Sequence, residues 1–214
     1  MPINYATKTG SDVAAFVRRQ FGDESGTQIK SADIIRWINN GQLKMADSGD
    51  IGKSIATTPS VAAQTAYTFP ANQIIKVLSV WYDERPLEST TFEQAQKSFL
   101  NYANVDTGTL PTVWYEYGDS LYLYPAPQEN GKSIKLFHVR NPTSLMTLSD
   151  ALSIPDSYYE TLLQYVMKQA HELDEDYTAA QIKGSEFQAS MGEVQQIATE
   201  DVYPTITVLE EDAW

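Results

Sequence analysis

Three short stretches of this sequence bring together residue types that could do chemistry. Gly52-Lys53-Ser54 matches the end of a phosphate-binding loop, in which backbone N–H groups and a lysine hold an anion ahead of a helix N-terminus. Such a loop needs a glycine five positions before that Gly-Lys pair. Asp47 stands there, with a carboxylate that would repel phosphate, and Ile55 to Pro59 beyond it favour a strand. The stretch reads as a surface turn. Gly22-Asp23-Glu24-Ser25-Gly26 sets its serine one position late for a nucleophile elbow, with no strand pattern before it. His138 and His171 are the sequence's two histidines, so a hydroxyl nucleophile would have few bases to choose from, and both read as structural. Glu172, Asp174, Glu175 and Asp176 could offer oxygen ligands to a hard cation. Counted from Asp174, however, a calcium loop needs Gly where Ala179 stands and Glu where Ser185 stands, so the cluster reads as a solvated turn. No catalytic, cofactor or metal site is expected.

A fourth set is aromatic. Trp81, Tyr82, Trp114, Tyr115, Tyr117, Tyr122 and Tyr124 fall in a region of strand-like alternation. Exposed ring faces there could stack on sugars or on a neighbouring subunit, whereas alternation should bury many of them as sheet core and cross-strand pairs.

Composition narrows the classes further. A chain of 214 residues with 42% hydrophobic and 20% charged residues can bury a core, as one compact body carrying one insertion. No run approaches the roughly 18 apolar residues of a membrane helix, and no basic segment followed by an apolar one opens the sequence. A soluble chain without signal peptide or membrane contact is expected. The absence of cysteine removes disulfides, thiolate nucleophiles and thiolate metal ligands together. Fifteen basic against 28 acidic residues give a net charge of -13, which opposes sequence-reading contact with DNA. The same sign suits a surface that DNA passes without sticking, because Lys and Arg contacts to phosphate are what hold proteins to the duplex.

The elements that would position these residues follow from periodicity. Val13, Phe16, Val17 and Phe21 recur at helical spacing after Ser11 and Asp12, and Gly22 supplies a stop. Beyond the polar loop Asp23 to Lys30, Ser31 and Asp33 cap a second helix with the stripe Ile34, Trp37, Ile38, Gly41, Met45, which dissolves in the turn-rich Asp47 to Gly52. From Ser54 to Val139 the period becomes two. Ile74 to Tyr82 predicts a strand entering a hairpin at Asp83 to Pro86. Thr90 with Glu93 predicts a capping box before a short helix at Phe92, Ala95 and Phe99. Thr112 to Tyr117, Ser120 to Tyr124 and Ser133 to Arg140 predict an antiparallel meander. Helical spacing returns after Ser153, read as an N-cap with Pro155 in the first turn, and runs from Tyr159 to Ala198. Like charges at Asp174-Glu175-Asp176 and the capping potential of Asp176 favour a helical hairpin turning near Asp174. The fold class is α+β: a helical bundle made from N- and C-terminal helices, with an inserted antiparallel β unit. The expected divisions are 1–50 and 150–201 for the helical part, 54–147 for the β unit, and 202–214 for an extended tail.

Several segments, in this order, carry a resemblance. Ile34-Ile35-Arg36-Trp37-Ile38-Asn39-Asn40-Gly41-Gln42 is followed by Tyr67-Thr68-Phe69-Pro70 and by Ile75 to Asp83. Then come Leu110-Pro111-Thr112-Val113-Trp114-Tyr115, Leu121 to Pro127, Ile154 to Leu163, Ala170-His171-Glu172 and Asp176 to Gln181. In order and spacing these resemble the head-to-tail adaptor family of tailed phages, the podovirus-type tail accessory and connector proteins. The chain departs from that pattern at Asp83-Glu84, where a glycine turn is common, and its tail has no counterpart there.

The resemblance implies a non-enzymatic structural virion protein at the portal vertex, assembled in the host cytoplasm. It would form a homo-oligomeric ring of about twelve copies by a cyclic, heterologous interface. The ring would dock under the portal protein, attach a tail nozzle or other tail proteins, and frame a channel for genome double-stranded DNA without sequence-specific binding. Val202, Tyr203, Ile206, Val208, Leu209 and Trp214 are candidate portal contacts, because a free β-prone segment can add to another subunit's sheet edge. Trp37, Ile38, Tyr159, Leu163, Val166, Tyr177 and Phe187 are candidates for a helix stripe serving the core or a subunit interface. Rival readings from other classes are a carbohydrate-binding tail module using the aromatics, and a hydrolase or NTPase using Lys53 or His171.

Overall fold

The computed structural model describes residues 7–49, 51–68, 73–99 and 110–200. They form two compact units, one made from residues up to Ile51 together with those from Thr143 onward, the other from Gly52–Pro142. The α+β class is observed, with the strands inserted between two sets of helices.

In the helical unit, α1 (Gly10–Gln20) and α2 (Ser31–Gly49) precede the insertion, and α4 (Tyr159–Leu173) and α5 (Tyr177–Glu200) follow it. Thr9 caps α1: Asp12 Oδ2 accepts from the Thr9 N–H at 2.8 Å and from its hydroxyl at 3.0 Å. Val13 and Val17 are fully buried, while Phe16 of the expected stripe is partly exposed. α2 runs through Gly49, past the turn expected from Asp47. The reason is packing, since a Cβ at Gly49 would lie 2.9 Å from Val194 and 3.0 Å from Met191 of α5. The bundle core joins Val13, Val17, Ile34, Ile38 and Met45 to Leu162, Val166, Phe187 and Met191. Each such buried side chain contributes about 1.5–3 kcal/mol.

The loop between α1 and α2 is organised by Asp23. Its carboxylate accepts N–H bonds from Thr27 (2.8 Å), Gln28 (2.9 Å) and Ile29 (2.8 Å) and a hydroxyl bond from Thr27 at 3.0 Å. These donors, Ile29 first, hold its pKa down from 3.8 to about 2.

Ser153 does not cap α4. Its hydroxyl donates to Thr143 O at 3.1 Å, and a 3-10 turn at Asp156–Tyr158 leads into the helix instead. The expected hairpin turns at Asp174 to Asp176. Glu175 takes φ 60°, its N–H donates to Glu172 O, and the Asp176 N–H donates to His171 O, the two bonds of a Schellman ending. Asp176 Oδ1 then accepts from the Ala179 N–H at 3.0 Å, starting α5.

Among the described residues the inserted unit is two four-stranded sheets. The first has the order β1 (Lys53–Pro59), β8 (Ser133–Arg140), β3 (Ile74–Tyr82), β4 (Arg85–Pro86). The second has the order β2 (Ala66–Thr68), β7 (Ser120–Tyr124), β6 (Val113–Tyr117), β5 (Glu88–Ser89). The expected three-strand meander is corrected: β6 and β7 pair across a two-residue turn at Gly118-Asp119, but β8 leaves for the other sheet. Pro125 and Pro127 lack the N–H groups that would continue the β7 ladder, and the chain is carried across instead. β5 and β6 pair in parallel, whereas the other strand pairs among the described residues are antiparallel. Val80, Tyr82, Ile134 and Leu136 of the first sheet meet Trp114, Leu121 and Leu123 of the second in one core. The short helix α3 (Phe92–Phe99) is capped one residue later than expected. Thr91 Oγ1 accepts from the Gln94 N–H at 3.2 Å, and Gln94 Oε1 from the Thr91 N–H at 3.4 Å.

The β3–β4 turn explains the missing glycine. Asp83 (φ 47°) and Glu84 (φ 65°) both take positive φ, as a two-residue hairpin turn of this kind requires. Lys132 and Lys135 bind their carboxylates at 3.1 and 2.6 Å. Such exposed pairs contribute about 0–1 kcal/mol each.

Two outcomes follow. Glu175→Gly removes the left-handed cost of a side chain, so urea unfolding should show a gain of about 1 kcal/mol. Asp23 is stabilising in its ionised form, so its contribution is complete above about pH 4 and is lost as pH falls toward about 2. Thermal unfolding followed against pH should show Asp23→Asn starting lower at neutral pH and losing less on acidification than the parent chain.

Candidate functional site

The second helix carries the first segment of the resemblance, and Trp37, Ile38, Asn39, Gly41 and Gln42 each have a physical task there. Trp37 and Ile38 are buried in the bundle core. Asn39 binds the backbone of Leu145 twice: its Nδ2 donates to Leu145 O at 3.1 Å, and its Oδ1 accepts from the Leu145 N–H at 2.8 Å. Gly41 lies under α4, where a Cβ would come within 2.6 Å of Leu162 and 2.8 Å of Tyr165. Gln42 is fully buried, and its Oε1 accepts from the Ser153 N–H at 2.5 Å. One helix face thus clamps the segment 145–153 by which the chain re-enters the bundle. The segment supports itself as well, for Asp150 accepts N–H bonds from Met146 and Thr147, both at 2.8 Å. Those bonds, Thr147 first, lower the Asp150 pKa.

The other stripe candidates separate by burial. Leu163, Val166 and Phe187 are core residues. Tyr159 packs on the core's border beneath Lys8, whose ammonium lies 5.3 Å from the ring. Burial first, then Asp12 and Glu160, push the Tyr159 phenol up to about 12. Tyr177 differs from them at 69% exposed, and Leu173 and Ile182 are also exposed, at 52% and 54%. Val202, Tyr203, Ile206, Val208, Leu209 and Trp214 lie outside the described residues.

The residues with chemical potential are spread out. Gly52 has φ 88° and leads into β1, so Lys53 sits at a strand's start with no helix N-terminus to hold an anion. His138 is buried on β8, with Nδ1 3.2 Å from Leu136 O. The His171 ring packs on Phe21 at 4.8 Å, and its Nδ1 lies 3.9 Å from Asp176 Oδ2. Among the described residues no hydroxyl is hydrogen-bonded to either imidazole, and no group of His, Asp and Glu is arranged to hold a metal. Glu172 is occupied by Lys168 at 2.9 Å, and Asp174 to Asp176 form the hairpin turn.

The aromatics pair with one another. Tyr115 and Tyr122, opposite in register, stack at 5.0 Å and 5°. Phe92 of α3 stacks on Tyr117 at 4.2 Å, and Trp81 packs on Phe137 at 5.5 Å. Tyr82 and Trp114 are buried in the sheet core, and Tyr117 keeps 56% exposure.

Each unit has its own core, with paired aromatics in one and a clamped chain return in the other. The model of the SU10 adaptor protein family matches residues 8–208, spanning both units. The chain belongs to that family. The resemblance to the head-to-tail adaptors of tailed phages therefore stands, and a structural adaptor family implies a non-enzyme. No curated protein matches the chain. The SU10 adaptor match includes the whole α2 signature and the clamped return segment.

The roles of Asn39 and Gln42 were missed from sequence. The signal was there, because Gln42 follows Ile38 by one helical turn inside an apolar stripe, and a polar group so placed needs a partner. Asn39→Asp keeps the acceptor for the Leu145 N–H but sets a second oxygen against Leu145 O. A loss of about 1–3 kcal/mol is expected in urea unfolding.

Proposed function

We propose that this chain is one subunit of a closed ring, of about twelve copies, that docks under the portal and joins it to a short tail. The observation carrying the reading is the SU10 adaptor match across residues 8–208, both units included. Partners are the portal protein and a tail nozzle or other tail proteins, and the place is the head-to-tail interface of the virion. The chain works without catalysis. Its helical part frames the channel, and the net charge of -13 keeps genome DNA from binding the wall as it passes. The expected divisions, helical part and inserted β unit with a tail from 202, serve as wedge body and connector in this reading. The exposed side chains of Leu173, Tyr177 and Ile182 are offered to neighbouring subunits, and the tail residues from Val202 to Trp214 provide the portal contact.

Negative-stain microscopy of the purified chain with its portal tests this. Added ring density beneath the portal is expected, with a mass increment near twelve subunits. Portal particles that stay unchanged at saturating chain concentration would sink the reading.

A further inference from the structure

β1 is a long, regular and open border. The other borders among the described residues are short or irregular: β2 has three residues and β5 two, and β3 beyond the two-residue β4 is broken by register shifts between Ile74 and Lys76 and between Val77 and Ser79. Breaks and shortness of that kind blunt an edge, whereas β1 pairs with β8 over seven residues without a shift.

The direction of its main-chain groups follows from the ladder. The Ser60 N–H donates to Lys132 O, the Gly131 N–H to Ser60 O, and the Arg140 N–H to Gly52 O. In an antiparallel pair the facing groups alternate, so even-numbered residues from 52 to 60 turn toward β8 and odd-numbered ones away from it. Ile55 and Thr57 therefore present N–H and C=O to the open side, and Pro59 a C=O alone. No strand of the described residues pairs there. Lys53 and Pro59 guard the two ends of the edge, as charge and proline do. Between them Ser54 to Thr58 is uncharged, with Ile55 57% exposed.

The sequence holds one segment of matching kind. Thr205-Ile206-Thr207-Val208-Leu209 is uncharged, rich in β-branched residues and preceded by Pro204, a residue tolerated at a strand's start. The family match runs into it, to residue 208. We propose that the open edge of β1, at Ile55 and Thr57, accepts Thr205 to Leu209 of a second copy as an added strand. Strand and edge are unlike surfaces, so the contact is heterologous and, repeated around a rotation axis, closes a ring. The inference rests on the ring reading above. It moves Ile206, Val208 and Leu209 from the portal to the neighbouring subunit and leaves Val202, Tyr203 and Trp214 for the portal.

The cysteine-free chain gives a clean test. A Thr57→Cys chain is mixed with chains carrying Thr205→Cys, Thr207→Cys or Leu209→Cys in turn, assembled on portal and mildly oxidised. Mass spectrometry of the linked peptides is expected to find a disulfide between the β1 cysteine of one copy and the tail cysteine of another, at one or more of the three tail positions. Thr57→Pro deletes an N–H that faces away from β8, so the chain should fold while the tail loses its protection from hydrogen exchange in the assembly. Portal-bound rings without any such link overturn the inference and leave the adaptor reading in place. A link found only within one chain, when both cysteines share it, overturns the choice of a second copy. Failure to bind portal at all overturns the adaptor reading, and this inference with it.

Discussion

The helical unit depends on one clamp, the grip of α2 on the segment that returns from the β insertion. α1 and α2 cannot bury their apolar faces against each other alone, since the core they share with α4 and α5 is contributed from the far side of the insertion. The two halves must find each other at an entropic cost that grows slowly with the length of intervening chain. Asn39 and Gln42 specify where they meet. An apolar contact could slide along the helix, but a side-chain amide that pairs with both backbone groups of Leu145 fixes one register. Gly41 adds the shape condition by letting Leu162 and Tyr165 approach the α2 backbone.

That dependence separates what could be read in the sequence from what could not. Local signals gave the hairpin at Asp174, because charge crowding and the capping capacity of Asp176 sit within one turn of each other. They also gave the β6–β7 hairpin, whose turn residues lie between its strands. Alternation identified β8 as a strand but could not name its partners, and β1 and β3 come from far upstream. Ser153 shows the same limit in a single residue. A serine before a helix is a sound cap signal, yet its hydroxyl and its N–H are both taken by distant groups, Thr143 O and Gln42. The family resemblance was legible because it lay in the order of segments, which survives such local errors. The tail offered pattern without context, and its residues fall outside the described structure.

Positive φ falls, among the described non-glycine residues, on Ala63 and on three acidic residues that turn the chain, Asp83, Glu84 and Glu175. Each gives up some stability relative to glycine. At Asp83 and Glu84 the carboxylates are returned to use by Lys132 and Lys135, which tie the turn to the neighbouring strand β8 and the residue before it. At Glu175 no such partner is seen among the described residues, and the turn instead adds to an acidic tip with Glu172, Asp174 and Asp176.

The β unit begins and ends at one place, where the Arg140 N–H donates to Gly52 O at 3.2 Å. Its entry and exit strands, β1 and β8, are paired from the first residue, so the chain leaves the unit beside the point where it entered. The insertion is thereby a cassette. Its interior loops and even its second sheet can lengthen, shorten or be exchanged by recombination while the junction and the bundle stay as they are, so the two parts of the molecule are free to evolve at different rates.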